Sequence, residues 1–168
     1  MKSHHKAILS APAPVDDGDK TSVFMGTDLS DTFYGHKGTD FMYGGQGSDR
    51  LYGASGKDVL DGGTGQDFLY GGNGADTFVY HSTGDAGDPN MSDVIGDFKS
   101  LDDHLDLHSF MGGGHFVGSA AFTVGGGPQV SYDAATGVLS GDVNGDGTAD
   151  FTITMANHVN LVAADFIF

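Results

Sequence analysis

The chain has 168 residues and a formal net charge of −16. This size suits one domain or two small halves that share a core, and seven Lys and Arg are too few to neutralise the phosphates of a nucleic acid partner. All 23 acidic residues are Asp, and Cys is absent, which excludes zinc-protease helices of the H-E-x-x-H type, disulfides and thiol nucleophiles. Asp holds its carboxylate close to the backbone and disfavours helix interiors, so this bias indicates loops that bind a hard cation.

Residues 1–21 are predicted to form a flexible leader. They contain Pro12, Pro14 and an Asp-rich stretch at 16–19, with few apolar side chains to bury. The apolar run from Ala7 to Leu9 is too short for a membrane span or a convincing signal peptide, and no later apolar stretch reaches about 18 residues. We therefore expect no membrane span.

A nine-residue repeat dominates residues 22–90. Its six copies read GTDLSDTFY from Gly26, GHKGTDFMY from Gly35, GGQGSDRLY from Gly44, GASGKDVLD from Gly53, GGTGQDFLY from Gly62 and GGNGADTFV from Gly71. The sixth position is always Asp, and the eighth is always large and apolar. Glycines at positions one, two and four allow a tight turn, which leaves three residues for a short strand whose eighth side chain points inward. Because one such side chain per repeat cannot build a core alone, we expect the strands to stack into two thin sheets, with two repeats in each coil.

This stacking brings turns that are two repeats apart into contact. The expected pairs are Asp31 with Asp49, Asp49 with Asp67, Asp40 with Asp58, and Asp58 with Asp76. Two carboxylates a few ångströms apart repel by about 4 kcal/mol at the dielectric constant of a protein surface. A divalent cation between them reverses this repulsion, and calcium accepts a shell of carboxylate and carbonyl oxygens. The repeats are therefore predicted to bind about four or more calcium ions and to be disordered without them.

The repeat resembles a known calcium-binding pattern. G-G-x-G-x-D-x-U-x is the RTX nonapeptide, a signature of calcium-binding parallel β-helices. Thr27, Leu29, His36 and Ala54 replace glycines of the pattern, so weaker binding is expected in some of these turns. Asp93 and Asp97 follow the repeats and are candidates to close a terminal calcium site; the alternative is that they lie at solvated strand edges. The candidate calcium ligands are Thr27, Leu29, Asp31, His36, Gly38, Asp40, Gly44, Gly45, Gln46, Gly47, Asp49, Gly53, Ala54, Ser55, Gly56, Asp58, Gly62, Gly63, Thr64, Gly65, Asp67, Gly71, Gly72, Asn73, Gly74, Asp76, Asp93 and Asp97.

The second half resembles the C-terminal domain of serralysin-type metalloproteases and the RTX modules of alginate epimerases. The resemblance rests on MSDVIGDFKSLDDHLDLHSF, GDVNGDGTADFTITM and the terminal AADFIF, and with the repeats it covers residues 22–168. It implies an all-β fold in which a parallel β-roll over residues 22–90 continues into a small antiparallel β-sandwich cap over residues 91–168. It also implies secretion to the extracellular space by a type I ABC exporter that recognises the C-terminal end. The protease's catalytic domain has no counterpart in the chain.

The residues of the cap are consistent with short strands. Alternating apolar positions predict strands at 121–124, 129–132, 138–140 and 151–155, with DAATG as a hairpin turn. The final DFIF is predicted either as the last strand or as the acidic and hydrophobic signal that an exporter recognises. Both can hold, because recognition precedes folding.

The loop DVNGDGTAD is a further candidate calcium site. Asp142, Asn144, Asp146 and Asp150 stand at EF-hand offsets one, three, five and nine, but Ile153 occupies offset twelve, where the EF-hand has its bidentate Glu. The alternative is an Asn-Gly hairpin turn whose acids face water.

A zinc site is a rival hypothesis for the second half. His104, Asp106, His108 and His115 are close in sequence. A zinc hydrolase needs three convergent ligands and an open position, and sequence spacing alone does not establish them.

An aromatic column is the second rival. Tyr34, Tyr52 and Tyr70 occupy the ninth position of alternate repeats, with Arg50 and Phe68 beside them. Such a column can stack on sugars or pack against a partner, although Tyr at this position also follows from strand propensity.

Taken together, these patterns favour a non-enzymatic, extracellular calcium-binding RTX module that folds on calcium after type I secretion. One alternative is a module that binds extracellular polysaccharide, as the epimerase resemblance implies. The other is the C-terminal secretion and folding domain of a larger secreted metalloprotease.

Overall fold

The computed structural model describes residues 20–86 and 91–168, and nearly all of the regular secondary structure within these ranges is strand. The repeat half contains β1 (Ser22–Met25), β2 (Thr32–Tyr34), β3 (Asp40–Gln46), β4 (Arg50–Tyr52), β5 (Ser55–Gly56), β6 (Val59–Thr64), β7 (Phe68–Tyr70), β8 (Asn73–Gly74) and β9 (Thr77–Val79). The second half contains β10 (Asp93–Ile95), β11 (His104–Asp106), α1 (His108–Met111), β12 (His115–Phe116), β13 (Gln129–Asp133), β14 (Val138–Asp142), β15 (Phe151–Met155), a 3₁₀ helix (Ala163–Asp165) and β16 (Phe166–Ile167).

The repeats form the expected parallel roll. Strands β1, β3, β6 and β9 are consecutive in a six-stranded sheet, and β2, β4 and β7 are consecutive in an eight-stranded sheet. Phe33 pairs with Leu51, and Leu51 pairs with Leu69, so each coil takes two repeats. The eighth-position side chains of the five later repeats are completely buried, namely Met42, Leu51, Leu60, Leu69 and Phe78. The predicted inward position is confirmed.

The second half continues both sheets. Strand β10 pairs with β7 in the eight-stranded sheet, and β11 pairs with β9 in the six-stranded sheet. Strands β13, β14 and β15 form an antiparallel set that joins β10, while β16 is the last strand of the six-stranded sheet. The Phe116 and Phe166 rings stack with centroids 4.9 Å apart, so the sheets still face each other in the cap. The all-β fold class is confirmed.

Details of the cap differ from the sequence expectations. The strands predicted near 129, 138 and 151 are present, and the turn between β13 and β14 is confirmed by their antiparallel register. The strand predicted at 121–124 was wrong, because this segment has no strand pairing and leads into a turn. Pattern reading missed β12 and α1, which are too short to show a periodicity.

The predicted leader lies mostly outside the described residues, since the description begins at Lys20 and β1 begins at Ser22. Among the described residues, no helix is long and apolar enough to cross a membrane.

Candidate metal centre

The sixth-position aspartates stack in two columns along the edges of the roll. In each column, the backbone N–H of one Asp donates to Oδ1 of the Asp one coil later. The distances are 2.7 Å from Asp31 to Asp49, 2.7 Å from Asp49 to Asp67 and 2.8 Å from Asp67 to Asp93 in the odd column, and 2.8 Å from Asp40 to Asp58, 2.9 Å from Asp58 to Asp76 and 3.0 Å from Asp76 to Asp103 in the even column. The expected pairing of turns is therefore present, and both columns extend one step beyond the repeats.

The second carboxylate oxygen of the interior aspartates has no hydrogen-bond partner. This holds for Oδ2 of Asp49, Asp58, Asp67, Asp76 and Asp93, whose residues are at most 1% exposed. A buried carboxylate oxygen without a donor is costly unless a positive charge lies beside it. The orphaned oxygens thus fit a cation in the gap between two stacked turns.

Backbone carbonyls converge on the same oxygens. A Cβ placed on Gly44 would lie 2.3 Å from Asp49 Oδ2 and 2.4 Å from the carbonyl oxygen of Gly62. The equivalent position at Gly53 would lie 2.5 Å from Asp58 Oδ2 and 2.6 Å from the carbonyl oxygen of Gly71. Carboxylate and carbonyl oxygens together are the donor set of calcium rather than of a soft metal. Glycine at position one leaves the space that these oxygens occupy.

The second position of the turn decides whether the carboxylate oxygen stays open. Gly45 and Gly63 have φ of 105° and 82°, and Ala54 adopts 76° at the same position, a region that non-glycine residues rarely enter. Where the repeat departs from this conformation, the turn's own N–H takes the oxygen. Thr27 N–H and His36 N–H donate to Oδ2 of the aspartate in their own turn at 2.8 and 2.7 Å.

Burial controls the protonation of the interior carboxylates. It raises the pKa of Asp49 and Asp76 to about 6, that of Asp58 and Asp67 to about 7, and that of Asp93 to about 8. The backbone N–H bond to each carboxylate offsets part of this effect, whereas neighbouring carboxylates add to it. In the absence of a cation, the columns therefore bind protons near neutral pH.

The residues after the repeats occupy different parts of the columns. Asp93 continues the odd column, as its hydrogen bond to Asp67 shows. Asp97 instead accepts the N–H groups of Gly71 and Gly72 at 3.0 and 2.9 Å, so both of its oxygens are occupied by donors.

Asp103 was not predicted as a column residue, because the nine-residue period ends at Asp76. The coil from Asp76 to Asp103 takes 27 residues instead of 18, which breaks the nine-residue period. The available signal was the triplet Asp-x-apolar, which recurs as Asp93 to Ile95 and Asp103 to Leu105.

A second missed group surrounds the last turn of the odd column. Asp61, at the ninth position of its repeat, is 9% exposed and lies 3.2 Å from Nε2 of His81. Asp85 accepts the His81 N–H at 2.9 Å. These carboxylates raise the pKa of Asp67, after the larger effect of burial. This end of the odd column is therefore rich in negative charge.

The zinc hypothesis gains no geometric support from the described chain. Within residues 20–86 and 91–168, no three His or Asp side chains form a group that could hold a metal. His108 pairs with Asp106, while His104 and His115 belong to different sheets. The turns of the roll contribute one column carboxylate each, so a calcium site there depends on carbonyl oxygens and does not form a cluster of side chains.

In the loop at 142–150, backbone N–H groups of the loop itself donate to the carboxylates of Asp142 and Asp150. Asp142 accepts the N–H groups of Gly145 and Gly147 at 2.7 and 2.9 Å. Asp150 accepts the N–H groups of Val143 and Asn144 at 2.7 and 3.3 Å. The bonding is that of a compact turn between β14 and β15.

The tyrosine column is a stacked ladder. The rings of Tyr34 and Tyr52 lie 5.0 Å apart at 7°, and those of Tyr52 and Tyr70 lie 5.0 Å apart at 13°. Gly96 lies against the Tyr70 ring so closely that a Cβ there would be 2.1 Å from Cε1. The guanidinium of Arg50 lies 5.1 Å from the centre of the Phe68 ring. The inner ring faces therefore cover one another, and the outer face of Tyr34 ends the ladder.

The C-terminal acid is a structural group in the folded chain. Asp165 is completely buried, and it accepts the Ser100 hydroxyl at 2.8 Å and the Leu101 N–H at 2.8 Å. The adjoining β16 pairs with β11. The final strand predicted from DFIF is confirmed.

Parallel coils, stacked Asp-Gly turns and a sheet cap define an RTX β-roll module. The family model described as Peptidase M10 serralysin C terminal matches residues 39–168. The chain belongs to this family of calcium-binding RTX modules.

Two solved structures are similar to the chain over most of its length. One is the solution structure of the AlgE6R3 subunit from the Azotobacter vinelandii mannuronan C5-epimerase, with a TM-score of 0.66 and 30% identity over 92% of this chain and 86% of that chain. The other is the AlgE6R2 subunit of the same epimerase, with a TM-score of 0.57 and 29% identity over 86% of this chain and 91% of that one. No curated protein sequence matches the chain.

Proposed function

We propose that the chain is a non-enzymatic, extracellular calcium-binding module whose repeats fold when calcium fills the gaps between stacked turns. The observation that supports this proposal is the row of buried carboxylate oxygens that lack any donor, at Asp49, Asp58, Asp67, Asp76 and Asp93. Calcium supplies the positive charge that these oxygens need, and it accepts the neighbouring carbonyls as further ligands.

The proposed ligands are the column aspartates and the carbonyl groups of the glycine-rich turns. The carbonyl oxygens of Gly62 and Gly71 border the same spaces, beside Gly44 and Gly53, as the carboxylates of Asp49 and Asp58. The first two turns are expected to bind less tightly, because an N–H of the same turn competes for Oδ2 of their aspartates. Asp93 is proposed as a ligand at the end of the odd column.

The composition of the roll explains why folding depends on the cation. Each of the five later repeats buries one large apolar side chain and one column carboxylate, so burial of apolar area alone does not offset the loss of chain entropy and the repulsion within the columns. Extracellular calcium modules operate at affinities of about 0.1 to 1 mM, far above cytosolic calcium. The chain would thus remain loose during passage through a type I exporter and fold outside.

The proposal is tested by circular dichroism and small-angle scattering in chelator and in millimolar calcium. We expect gain of strand signal and compaction with calcium, and a much weaker effect of magnesium, which keeps its waters and requires a smaller octahedral shell. Identical, fully folded spectra in chelator and calcium would contradict a folding role for the ion.

A second candidate is a polysaccharide-binding module. The similarity to subunits of a mannuronan epimerase supports it. The tyrosine ladder limits how a sugar can bind, because the rings of Tyr52 and Tyr70 stack on one another. The ring edges and the outer face of Tyr34 are then the aromatic surfaces that remain for a sugar. Glycan binding that is unchanged in a Tyr52→Ser, Tyr70→Ser double variant would remove the ladder from this function.

The third candidate is the C-terminal secretion and folding domain of a larger secreted metalloprotease. The match to the serralysin C-terminal family supports it. The length of the full gene product decides between a free module and such a domain.

A further inference from the structure

The last turn of the even column has a lysine at its second position, where the earlier turns of that column have His36, Ala54 and Gly72. Lys99 is the second residue of the turn 98–103, which Asp103 closes. Its ammonium group donates to the carbonyl oxygen of Gly72, the second residue of the turn one coil earlier. The side chain therefore bridges the two turns across the gap between them.

The carboxylate that closes this gap has no open oxygen. Oδ1 of Asp103 accepts the Asp76 N–H at 3.0 Å, and Oδ2 accepts the Lys99 N–H at 2.8 Å. Asp76, the other carboxylate of this gap, keeps its Oδ2 unpartnered, as Asp58 does one coil earlier. The donor set of the last turn is thus different from that of a gap that fits calcium.

The charge of Lys99 acts on the surrounding carboxylates. It lowers the pKa of Asp76 and of Asp103, in opposition to burial, which is the larger effect and raises both. Asp97, whose oxygens hold the N–H groups of Gly71 and Gly72, is the third carboxylate at this position. The ammonium of Lys99 therefore offsets the charge of Asp76 and Asp103, to which Asp97 adds a third negative charge.

The equivalent step of the odd column provides the contrast. Asp67 N–H donates to Oδ1 of Asp93 there at 2.8 Å, and Oδ2 of Asp93 accepts no backbone N–H. Burial raises the pKa of Asp93, and the side-chain group that lowers it is the uncharged hydroxyl of Tyr80. The leading charges on both aspartates are those of other carboxylates, including Asp85. The two columns thus end in opposite electrostatic situations.

We propose that the ammonium of Lys99 is the built-in cation of the last even-column gap, so that this gap takes no calcium and stays closed without it. The inference rests on the proposed calcium function for the other gaps. With Lys99 in this role, the last even turn stays ordered together with the cap when calcium is absent. The repeats then stack on this turn as calcium binds. The turn is anchored by Asp165, which holds Ser100 and Leu101.

The experiment is amide hydrogen exchange at residue resolution on the full chain in excess chelator. The Asp76 and Asp67 amides are the matched pair, since each makes the last bond between coils of its column. We expect the Asp76 amide to exchange at least about tenfold more slowly than the Asp67 amide. Lys99→Met should abolish this difference, whereas Lys57→Met, at an exposed lysine in a repeat turn, should preserve it.

The exchange of other amides in the same experiment distinguishes a role of Lys99 in the gap from a general loss of folding. The Leu139 amide reports on the cap, and its loss of protection together with Asp76 in Lys99→Met would overturn a role confined to the gap. Equal exchange at Asp76 and Asp67 in the unmodified chain would overturn the proposal without any variant. Failure of calcium to protect the Asp49 and Asp58 amides would instead overturn the proposed function, while the comparison in chelator would still decide the role of Lys99.

Discussion

The backbone N–H of Asp49 donates to Oδ1 of Asp67 at 2.7 Å across one full coil, while Oδ2 of Asp67 is buried without a partner. A single carboxylate thus holds two coils in register with one oxygen and offers the other to a cation. A Glu at this position would carry its carboxylate one methylene further from the backbone, beyond the N–H that it must meet. This requirement gives a physical reason for Asp at the column positions.

Neutralising an interior carboxylate should weaken calcium-dependent folding more than neutralising one at the end of the roll. Asp67→Asn is expected to lower the free energy of unfolding in calcium by about 1.5 to 3 kcal/mol, the range for a hydrogen bond to a charged group. Asp31→Asn should cost less, because Asp31 lies at the start of its column and Thr27 already occupies its Oδ2. Urea unfolding at fixed calcium measures both.

The control for this series is Asp28→Asn, which changes an exposed acid in the same turn as Asp31. It should leave the unfolding midpoint unchanged. The structure also changes the expectation for Asp76, which the repeats alone place at a column end. Because Asp103 follows it, Asp76→Asn should resemble Asp67→Asn more than Asp31→Asn, and equal effects at all positions would contradict the stacked geometry.

The pH dependence of the calcium-free chain should be opposite to that of a protein held by ion pairs. Burial raises the folded-state pKa of the interior aspartates to about 6 to 8 from an ordinary value of 3.8. The folded state therefore binds more protons than the unfolded state in this range. Its stability is greatest below pH 4 on this account and falls as pH rises through 6 to 8.

Because the repeats are expected to be unfolded without calcium near neutral pH, far-ultraviolet circular dichroism of the metal-free chain between pH 4 and pH 8 measures this trend, as strand signal that is gained on acidification. Calcium affinity should change in the opposite direction, because the ion displaces the bound protons, and proton release on calcium addition should be detectable near pH 7. Stability that increases with pH without calcium would show that the acids do not lie buried in the columns.

Glycine at position one should be essential for a reason separate from backbone conformation. A methyl group in Gly44→Ala would collide with Asp49 Oδ2 and with the Gly62 carbonyl oxygen, which are the oxygens proposed to bind calcium. We expect loss of calcium-induced compaction in the turns on both sides. The matched control is Gly112→Ala, where φ is −54° and the nearest atom to the added methyl is 3.7 Å away. Scattering in calcium should distinguish the two variants.

The repeats were predictable from sequence because one period specifies both the strand and the turn. Every coil presents an apolar eighth residue to the core and an Asp to the edge, so the register follows from counting. Counting by nine fails where the coil lengthens to 26 or 27 residues. The place of Asp103 in the column and the bridge made by Lys99 depend on tertiary contacts, which sequence spacing does not predict. In the cap, long alternating strands such as β15 were found, whereas two-residue β12 depends on tertiary contacts with β13.

Two leucines that are equally buried should respond differently to calcium. Leu60 lies in the core of the repeats and Leu139 in the core of the cap, and both are completely inaccessible to solvent. Replacing either with Ala removes about 2 to 5 kcal/mol of stability when its surroundings are folded. In calcium, both variants should therefore be destabilised.

In chelator, we expect only Leu139→Ala to lower the stability of what remains folded, because Leu139 packs in the apolar core of the cap while the turns around Leu60 are proposed to depend on the cation. Urea unfolding with and without calcium, followed by near-ultraviolet circular dichroism of the cap aromatics, separates the two cases. Destabilisation by Leu60→Ala in chelator equal to that in calcium would show that the repeats fold on their own apolar core.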